Sequence, residues 1–303
     1  MLVAIVGATG TGKSALSLEL AEALAARGQP VEVVNADAMQ LYRGMDVGTA
    51  KLPVAERRGI PHRLFDVLDV TDEASVEWYQ REARAAVDDI VGRGAVAVLV
   101  GGSGLYVSSV LFDFRFPGTD PVVRARYEAI ADERGAGALY DVLAGRDPTS
   151  AASIGRFNVR RLVRALEVAD LTGRPLSGTL PESSAPWRPS TVFGVAEERP
   201  VLVQRLDRRV ERMWQDGLVD EVRGLLPRGL ERGVTAGRAI GYAQAAAQIR
   251  GELTEPEAIE ATAALTRRYA RRQASWFRRY DGVEWSRSGD PQAVERAVAR
   301  LLG

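Results

Sequence analysis

The sequence predicts an α/β fold: a doubly wound, mostly parallel sheet with a phosphate-binding loop (P-loop) and a small all-helical insert domain. Apolar runs, typical of strands buried on both faces of a parallel sheet, occur at 2–6, 95–100 and 191–196, and a further strand is predicted at 31–34. A helical pattern of leucines follows the first run at 13–27. Strands that alternate with helices favour this fold class.

The region 117–189 differs from the rest, because it contains helical patterns and turns but no convincing strand. Its better helices cover 127–134 and 160–171, and the stretch 177–189, rich in Ser, Pro and Gly, is typical of a linker. We expect an insert within the core, with the last third of the chain mostly helical. The predicted units are a first core part at 1–116, the insert at 117–189, and a second core part at 190–303 with basic C-terminal helices.

The amino-acid composition excludes several classes of catalytic and metal-binding site. The chain has 303 residues, which suits one or two domains, and its 40 basic and 40 acidic residues cancel. Without cysteine, it has no disulfide, no thiolate nucleophile and no cysteine-containing zinc site. His62 is the single histidine, and we interpret it as structural. Lys13 and Lys51 are the only lysines, so these two positions indicate a need for a compact ammonium group.

The first apolar run ends at Gly7 and is preceded by no basic segment, so it predicts a buried strand and not a signal peptide. No stretch approaches the roughly 20 apolar residues of a membrane span. We therefore expect a cytoplasmic protein with no membrane partner.

A phosphate-binding motif, G-x-x-x-x-G-K-[ST], lies between the first strand and the first helix, which is the context that it requires. Its glycines let backbone N–H groups face phosphate oxygens, and the helix N-terminus adds positive charge. Lys13 supplies a point charge to the phosphates, and Ser14 can ligate Mg²⁺. The motif indicates phosphate without specifying ATP. Its candidate phosphate ligands are Gly7, Thr9, Gly10, Thr11, Gly12, Lys13 and Ser14.

Two further loops follow predicted strands and should lie at the same sheet edge as the P-loop, where open parallel sheets bind ligands. Asp37 follows the second strand; it could be a general base, a metal partner or only a turn aspartate. Ser103 follows a strand that ends in glycines, where a nucleotide kinase would usually carry a magnesium-binding aspartate. Asp66 is a possible substitute for that aspartate.

Arginines cluster in three places. The segment 261–280 has six arginines and no acid, and four of its residues, Tyr269, Gln273, Trp276 and Tyr280, share a helix face. Basic groups among aromatic rings suit RNA, although we favour a core position for the rings themselves. A second cluster lies along the insert at 156–164. A third follows the last core strand at 205–212, where at least one arginine could point towards the phosphates.

With these motifs in place, the chain resembles the tRNA dimethylallyltransferase family, also called tRNA isopentenyltransferases, over nearly its whole length. The most specific block runs from Asp37 to Lys51, D-A-M-Q-L-Y-R-G-M-D-V-G-T-A-K. Other family-like blocks are Pro61 to Leu64, Gly101 to Tyr106, Arg164 to Val168, Ile240 to Tyr242 and Arg271 to Gln273.

The resemblance implies transfer of a dimethylallyl group from dimethylallyl diphosphate to the exocyclic amine of the adenosine beside the anticodon, in tRNAs that read U-initial codons. It implies that 9–14 hold the diphosphate with Mg²⁺ as cofactor. It implies a general base at Asp37, with Ser103 and Arg209 as further active-centre residues. The tRNA contacts that it implies are Asp37, Ala38, Met39, Gln40, Ser103, Arg124, Arg160, Arg161, Arg164, Arg238, Gly241 and Tyr242. The partners are then dimethylallyl diphosphate and a tRNA anticodon stem-loop, and we expect a monomer.

This sequence departs from the family pattern at three places. Ser103 stands where threonine is usual, Ala243 where a basic residue is common, and Gly155 to Asn158 where a His-Pro-Asn-Asp run is usual. Two other classes of function remain open at this stage. A small-molecule kinase would bind ATP and ignore tRNA, whereas a non-catalytic RNA-binding module would bind RNA without needing Lys13.

Overall fold

The structure is a computed structural model that describes residues 1–174 and 185–303. The predicted linker at 177–189 lies outside the described residues as far as residue 184. The described chain divides into two compact units, one formed by 1–112 and 186–303 and the other by 113–185. The sequence predicts the bounds 117–189 for the insert.

A six-stranded sheet with parallel neighbours forms the centre of the first unit, which confirms the predicted fold class. Its strand order is β3-β2-β4-β1-β5-β6. The strands are β1 Leu2–Gly7, β2 Val31–Asn35, β3 His62–Arg63, β4 Val96–Gly101, β5 Ser190–Ala196 and β6 Glu284–Arg287. Four of them match the predicted strands, whereas β3 and β6 were not predicted from the sequence.

Eleven α-helices are present within the described ranges. They are α1 Lys13–Ala25, α2 Val76–Gly92, α3 Gly104–Leu111, α4 Pro121–Arg146, α5 Pro148–Ile154, α6 Val159–Thr172, α7 Arg199–Gln215, α8 Leu218–Leu225, α9 Tyr242–Ile249, α10 Glu255–Phe277 and α11 Ala293–Leu302. Short 3-10 turns cover Val54–Glu56, Leu230–Arg232 and Ala236–Arg238. None of these helices is long and apolar enough to cross a membrane, a statement that covers residues 1–174 and 185–303.

Both faces of the sheet are covered, as in a doubly wound fold, and β1 shows how. Leu2, Ala4 and Val6 point into one apolar cluster that α2, α3 and α8 to α10 complete. Val3 and Ile5 point into the opposite cluster, which includes residues of α1 and α11. Successive strand residues face opposite sides, so a strand covered on both faces must be apolar throughout.

The regular elements in the described part of the second unit are the helices α4, α5 and α6. Its core includes Leu139, Leu162 and Leu166, all fully buried. Gly135, with φ of 81°, interrupts the helical geometry of α4, which explains why the predicted helix 127–134 ended there. A buried carboxylate, Glu167, pairs with Arg164 at 2.7 Å and with Arg124 at 3.3 Å, and these pairs lower its pKa against the effect of burial.

The carboxyl ends of the inner strands meet at one edge of the sheet. Val6 pairs with Gly101 of β4, and Asn35 of β2 pairs with Val100. On the other side of β1, Gly7 pairs with Val195 of β5. The loops that follow these four strands therefore start side by side, and they carry the candidate site.

Candidate active site

The phosphate loop leaves β1 at Gly7 and enters α1 at Lys13, and its glycines are sterically required. Gly7 has φ of 149°, and a Cβ there would lie 2.3 Å from the carbonyl oxygen of Val195. Gly12 caps α1 with φ of 92°, a left-handed conformation that side chains other than glycine rarely adopt. The loop therefore directs its amides and the N-terminus of α1 into a common space, which suits a phosphate group.

Lys13 extends back across this loop and donates a hydrogen bond from Nζ to the carbonyl oxygen of Ala8 at 2.7 Å. Burial lowers the pKa of Lys13 to about 8; the carboxylate of Asp37 opposes this fall, and the guanidinium of Arg209 adds to it. An ammonium group that is poorly solvated and lies beside a second cation is stabilised by a bound anion. Both features therefore favour a phosphorylated ligand.

Asp37 lies in the turn after β2, and the structure shows its role in that turn, whereas a role as base or metal partner stays a prediction. As a turn residue, its Oδ1 accepts a hydrogen bond from the backbone N–H of Met39 at 3.0 Å. The side chain of Asn35 holds the same turn, because Nδ2 donates to the carbonyl oxygen of Asp37 at 3.0 Å. The carboxylate nevertheless lines the same cavity as Lys13, so it lies within the field of the phosphate site.

Two arginines of α7 contact the phosphate loop. They belong to the cluster at 205–212, from which the sequence predicted at least one arginine near the phosphates. Arg209 donates to the hydroxyl of Thr9 and to the carbonyl oxygen of Thr49, each at 3.3 Å. Arg205, one turn earlier, donates to the carbonyl oxygen of Gly10 at 2.9 Å. Burial lowers the pKa of Arg209 from its ordinary value, and Asp37 opposes that change.

Ser103 follows β4 and is buried beside the Asp37 turn. Its Oγ accepts a hydrogen bond from the backbone N–H of Ala38 and lies 3.3 Å from the hydroxyl of Tyr269 on α10. Burial, together with the nearby carboxylate of Asp37, raises the pKa of Tyr269 to about 12. The serine hydroxyl therefore links α10 to the loop that carries the carboxylate.

The phosphate loop, Asp37 and the two arginines surround one cavity of about 250 Å³, whereas Ser103 lies outside its lining. Its lining residues are Thr9, Gly10, Gly12, Lys13, Ser14, Asp37, Gln40, Thr49, Ala50, Val100, Gly101, Gly102, Arg205, Arg209 and Arg212. A larger groove of about 510 Å³ runs along α7, but its lining includes no phosphate-loop residue, so the smaller cavity is the candidate site. Sequence reasoning missed Thr49 as a member of the cavity, and it named the arginines of 205–212 as candidates without singling out Arg205. The spacing of Arg205 and Arg209, four residues apart on one helix, was the available signal for the arginine.

Ser14 places a hydroxyl at this cavity, opposite the carboxylate of Asp37, and such oxygen donors fit a magnesium ion that is also held by phosphate oxygens. The described parts of the chain hold no cluster of three or more His, Asp or Glu side chains that could bind a metal by themselves. Asp66 does not line the cavity. It pairs with Lys51 at 2.6 Å, which corrects its interpretation as a substitute metal ligand.

The predicted RNA contacts of the first unit separate into exposed and buried groups. Gln40 lines the cavity and donates to the carbonyl oxygen of Thr49 at 3.1 Å, and Arg238 is exposed. Tyr242 is only 1% exposed, and its hydroxyl binds the carboxylate of Glu221. The ring of Tyr242 therefore fills the core of the first unit, and a contact of this residue with RNA stays a prediction.

Gly241, the residue directly before Tyr242, is buried as well. It is the N-cap residue of α9, with φ of 91°. Ala38 and Met39 lie partly exposed on the turn after Asp37. In the second unit, Arg160 and Arg161 are exposed on α6, whereas Arg124 and Arg164 have the buried Glu167 as a partner. The RNA contacts of all these residues remain predictions.

The polar and aromatic face of α10 points inward, as we favoured from the sequence. Trp276 donates from Nε1 to the hydroxyl of Ser108 at 3.0 Å, and Tyr280 also binds that hydroxyl, at 2.5 Å. Gly104 has to be a glycine, because a Cβ there would lie 2.4 Å from the Trp276 ring. The rings therefore join α10 to α3, and the exposed side of the helix carries arginines.

Fold and site together define a P-loop α/β protein in which a carboxylate faces the phosphate site. The model of the IPP transferase family matches residues 40–280, and the chain belongs to that family. A tRNA dimethylallyltransferase of Clavibacter sepedonicus is 59% identical over 300 residues, which cover 99% of this chain and 97% of the relative.

Two solved structures have the same fold. The full-length tRNA isopentenylpyrophosphate transferase of Bacillus halodurans is 38% identical with a TM-score of 0.71, over 99% of this chain and 95% of that one. A eukaryotic dimethylallyltransferase, described as acting on tRNA, is 28% identical with a TM-score of 0.81, over 98% of this chain and 77% of that one.

Proposed function

We propose that this protein transfers a dimethylallyl group from dimethylallyl diphosphate to the exocyclic amine of the adenosine beside the anticodon. The substrates are tRNAs that read U-initial codons, and the product is isopentenyladenosine. Membership of the family supports this proposal, as do the names of the relatives. The observation that carries it is the Asp37 carboxylate in the same cavity as the phosphate loop, Lys13 and Arg209.

The donor side of the reaction needs stabilisation of a departing diphosphate. The bond from the dimethylallyl C1 to the diphosphate oxygen breaks, and its electron pair leaves with the oxygen. The loop amides, Lys13 and Arg209 surround that position and stabilise the charge as it develops. A magnesium ion held by Ser14 and the phosphate oxygens would add further positive charge to the leaving group.

The acceptor side needs a base, because the lone pair of an adenine amine is delocalised into the ring. A bond forms from this nitrogen to C1, and Asp37 accepts the proton that the nitrogen loses. General-base catalysis of this kind typically contributes about 10²- to 10⁴-fold. The adenine has to leave its stack to reach a carboxylate in a cavity, so we expect a flipped base.

The rival function is phosphoryl transfer from ATP. It would require Mg²⁺-dependent ATP binding and indifference to tRNA. A glycine-ended β4 offers no aspartate for a metal at the position where kinases usually have one, which favours prenyl transfer. The two functions differ in which ligand raises the melting temperature of the folded protein, dimethylallyl diphosphate or ATP.

The direct test is incubation with labelled dimethylallyl diphosphate, Mg²⁺ and unmodified tRNA. Wild-type protein should label tRNAs that read U-initial codons, and Asp37→Ala should abolish labelling while tRNA binding remains. The control is Asp69→Ala, an exposed carboxylate that pairs with Arg43 outside the cavity, and it should leave labelling unchanged. Absence of label with folded wild-type protein and several such tRNAs would refute the proposal.

The same proposal implies the binding partners, the oligomeric state and the cellular compartment of the protein. The protein would bind the anticodon stem-loop of the tRNA, and it would act as a monomer in the cytoplasm, where its tRNA substrates are. Sedimentation of the protein alone and with tRNA tests the monomer directly, since a dimer would double the sedimenting mass of the free protein.

A further inference from the structure

A buried glutamine of α10 makes a long-range contact with the phosphate loop. Gln273 is 4% exposed, and its Oε1 accepts a hydrogen bond from the backbone N–H of Thr9 at 2.8 Å. The N–H of Thr9 can only donate, so the oxygen of the amide must face it and Nε2 must face away. The orientation of the amide is therefore fixed by the phosphate loop.

The nitrogen end of this amide packs closely against the loop that follows β4. A Cβ on Gly102 would lie 2.4 Å from Nε2 of Gln273 and 3.0 Å from the carbonyl oxygen of Gly7. Gly102 lines the cavity, so the amide fills the space directly behind a wall of the site. Within residues 1–174 and 185–303, Nε2 makes no well-formed hydrogen bond, although Gln273 lies close enough to the Tyr269 hydroxyl to lower the pKa of that group against the effect of burial. A buried amide nitrogen in such an environment is costly, so its position calls for an explanation.

The contact continues into the site through the side chain of Thr9. The hydroxyl of Thr9 accepts a hydrogen bond from Nη1 of Arg209 at 3.3 Å, so a chain of two hydrogen bonds leads from Gln273 to the guanidinium that faces the diphosphate position. If the amide is removed, the N–H of Thr9 loses its acceptor. The phosphate loop then loses its hydrogen bond to α10 at Thr9.

A second chain of contacts starts one turn earlier on the same face of α10. The hydroxyl of Tyr269 lies 3.3 Å from Oγ of Ser103, which accepts from the backbone N–H of Ala38 at 3.3 Å. Ala38 directly follows Asp37, so this chain ends at the turn that carries the carboxylate.

We propose that Gln273 and Tyr269 are positioning residues through which one face of α10 sets both halves of the site. Gln273 acts on the diphosphate half through Thr9 and Arg209, and Tyr269 acts on the acceptor half through Ser103 and the Asp37 turn. This inference rests on the proposed function for the acceptor half, whereas the diphosphate half can be tested without any transfer reaction.

The first test is binding of inorganic diphosphate and of dimethylallyl diphosphate to the folded protein without tRNA. Gln273→Met keeps the volume of the side chain and removes the amide, and it should raise the Kd of both ligands about ten-fold, as expected for one lost hydrogen bond. Gln248→Met is the matched control, because Gln248 accepts from Trp214 at 2.7 Å, away from the cavity. Its Kd values should match wild type.

Gln273→Asn is the second variant, since it keeps the amide but is too short by one methylene to reach Thr9. It should show the same ten-fold loss and so covers a failure of Gln273→Met to fold. Wild-type Kd values in a folded Gln273 variant, or an equal loss in Gln248→Met, would overturn the role of Gln273. This result is independent of whether wild-type protein labels tRNA.

The second test separates positioning from loss of fold by steady-state kinetics. Tyr269→Phe should lower kcat about five- to ten-fold and leave the KM for dimethylallyl diphosphate unchanged, because only the acceptor half is disturbed. Tyr280→Phe removes a hydroxyl that lies just beyond α10 and binds Ser108 of α3, and it should leave both constants unchanged. An unchanged kcat in Tyr269→Phe, or a parallel fall in both tyrosine variants, would overturn the role of Tyr269.

Discussion

Replacement of Lys13 by methionine should stabilise the ligand-free protein while it removes diphosphate binding. A fall of the Lys13 pKa from 10.5 to about 8 means that folding disfavours the ammonium form by about 3 kcal/mol at neutral pH. The Ala8 carbonyl oxygen that would lose Nζ keeps the hydroxyl of Thr11 as a donor at 2.9 Å. Since the side chain is only partly buried, we expect a net gain of about 2 kcal/mol, or roughly 4–8 °C in melting temperature.

Lys51, the only other lysine, provides the control with the opposite sign. Its side chain is 3% exposed, and Nζ pairs with Asp46 at 2.7 Å and with Asp66 at 2.6 Å. Nζ also donates to the carbonyl oxygen of Tyr42 at 2.8 Å. Removal of one partner from a buried ion pair is strongly destabilising, and here the carboxylates are partly hydrated, so Lys51→Met should cost about 2–3 kcal/mol.

Thermal unfolding of the ligand-free proteins between pH 6.5 and 10.5 measures both effects. Between pH 8 and pH 10.5 the folded protein loses the Lys13 proton before the unfolded chain does, so wild-type stability gains on this account as pH rises. The advantage of Lys13→Met should therefore be full at pH 7 and vanish towards pH 10.5. A destabilised Lys13→Met at pH 7, or an advantage independent of pH, would refute the reasoning.

Three further predictions follow from the site and its supports. Arg209→Met should raise the KM for dimethylallyl diphosphate at least ten-fold, measured by steady-state transfer, and an unchanged KM would remove this arginine from the diphosphate site. Gly101→Ala should prevent folding or lower the melting temperature steeply, because its Cβ would lie 2.2 Å from the carbonyl oxygen of Ala36; Gly92→Ala, where nothing lies within 4 Å, should be neutral or stabilising by up to about 1 kcal/mol. Glu221→Gln should destabilise the protein by about 1–3 kcal/mol in denaturant unfolding, because one carboxylate accepts from three backbone amides of the 46–48 loop and from a buried tyrosine; wild-type stability would contradict that account.

The sequence predicted the inner strands because burial on both faces requires uninterrupted apolar residues. It could not predict β3, a pair of residues, His62 and Arg63, whose pairing depends on the neighbouring β2. Nor could it predict β6, because Glu284–Arg287 lies at the edge of the sheet and is exposed except for the partly buried Ser286. Edge strands carry little apolar signal, because only one side of the strand is paired and much of its surface meets water.

Local chemistry decided a second group of features. The phosphate loop and the Asp37 turn are each formed by residues close together in sequence, and parallel strands place such loops at one edge. The sequence alone therefore indicated the phosphate site, the candidate base and the family. It also indicated that both lysines are needed, since each survives in a chain that otherwise uses arginine.

Only the tertiary structure decided what each of these charged and polar side chains contacts. It shows that Lys13 is partly desolvated at the cavity, that Lys51 is held by ion pairs, and that the ring of Tyr242 fills the core. It also brings Gln273 to Thr9 across 264 positions of the chain. Such contacts depend on the packing of distant elements, and periodicity or motif spacing, which are properties of neighbouring residues, carry no information about them.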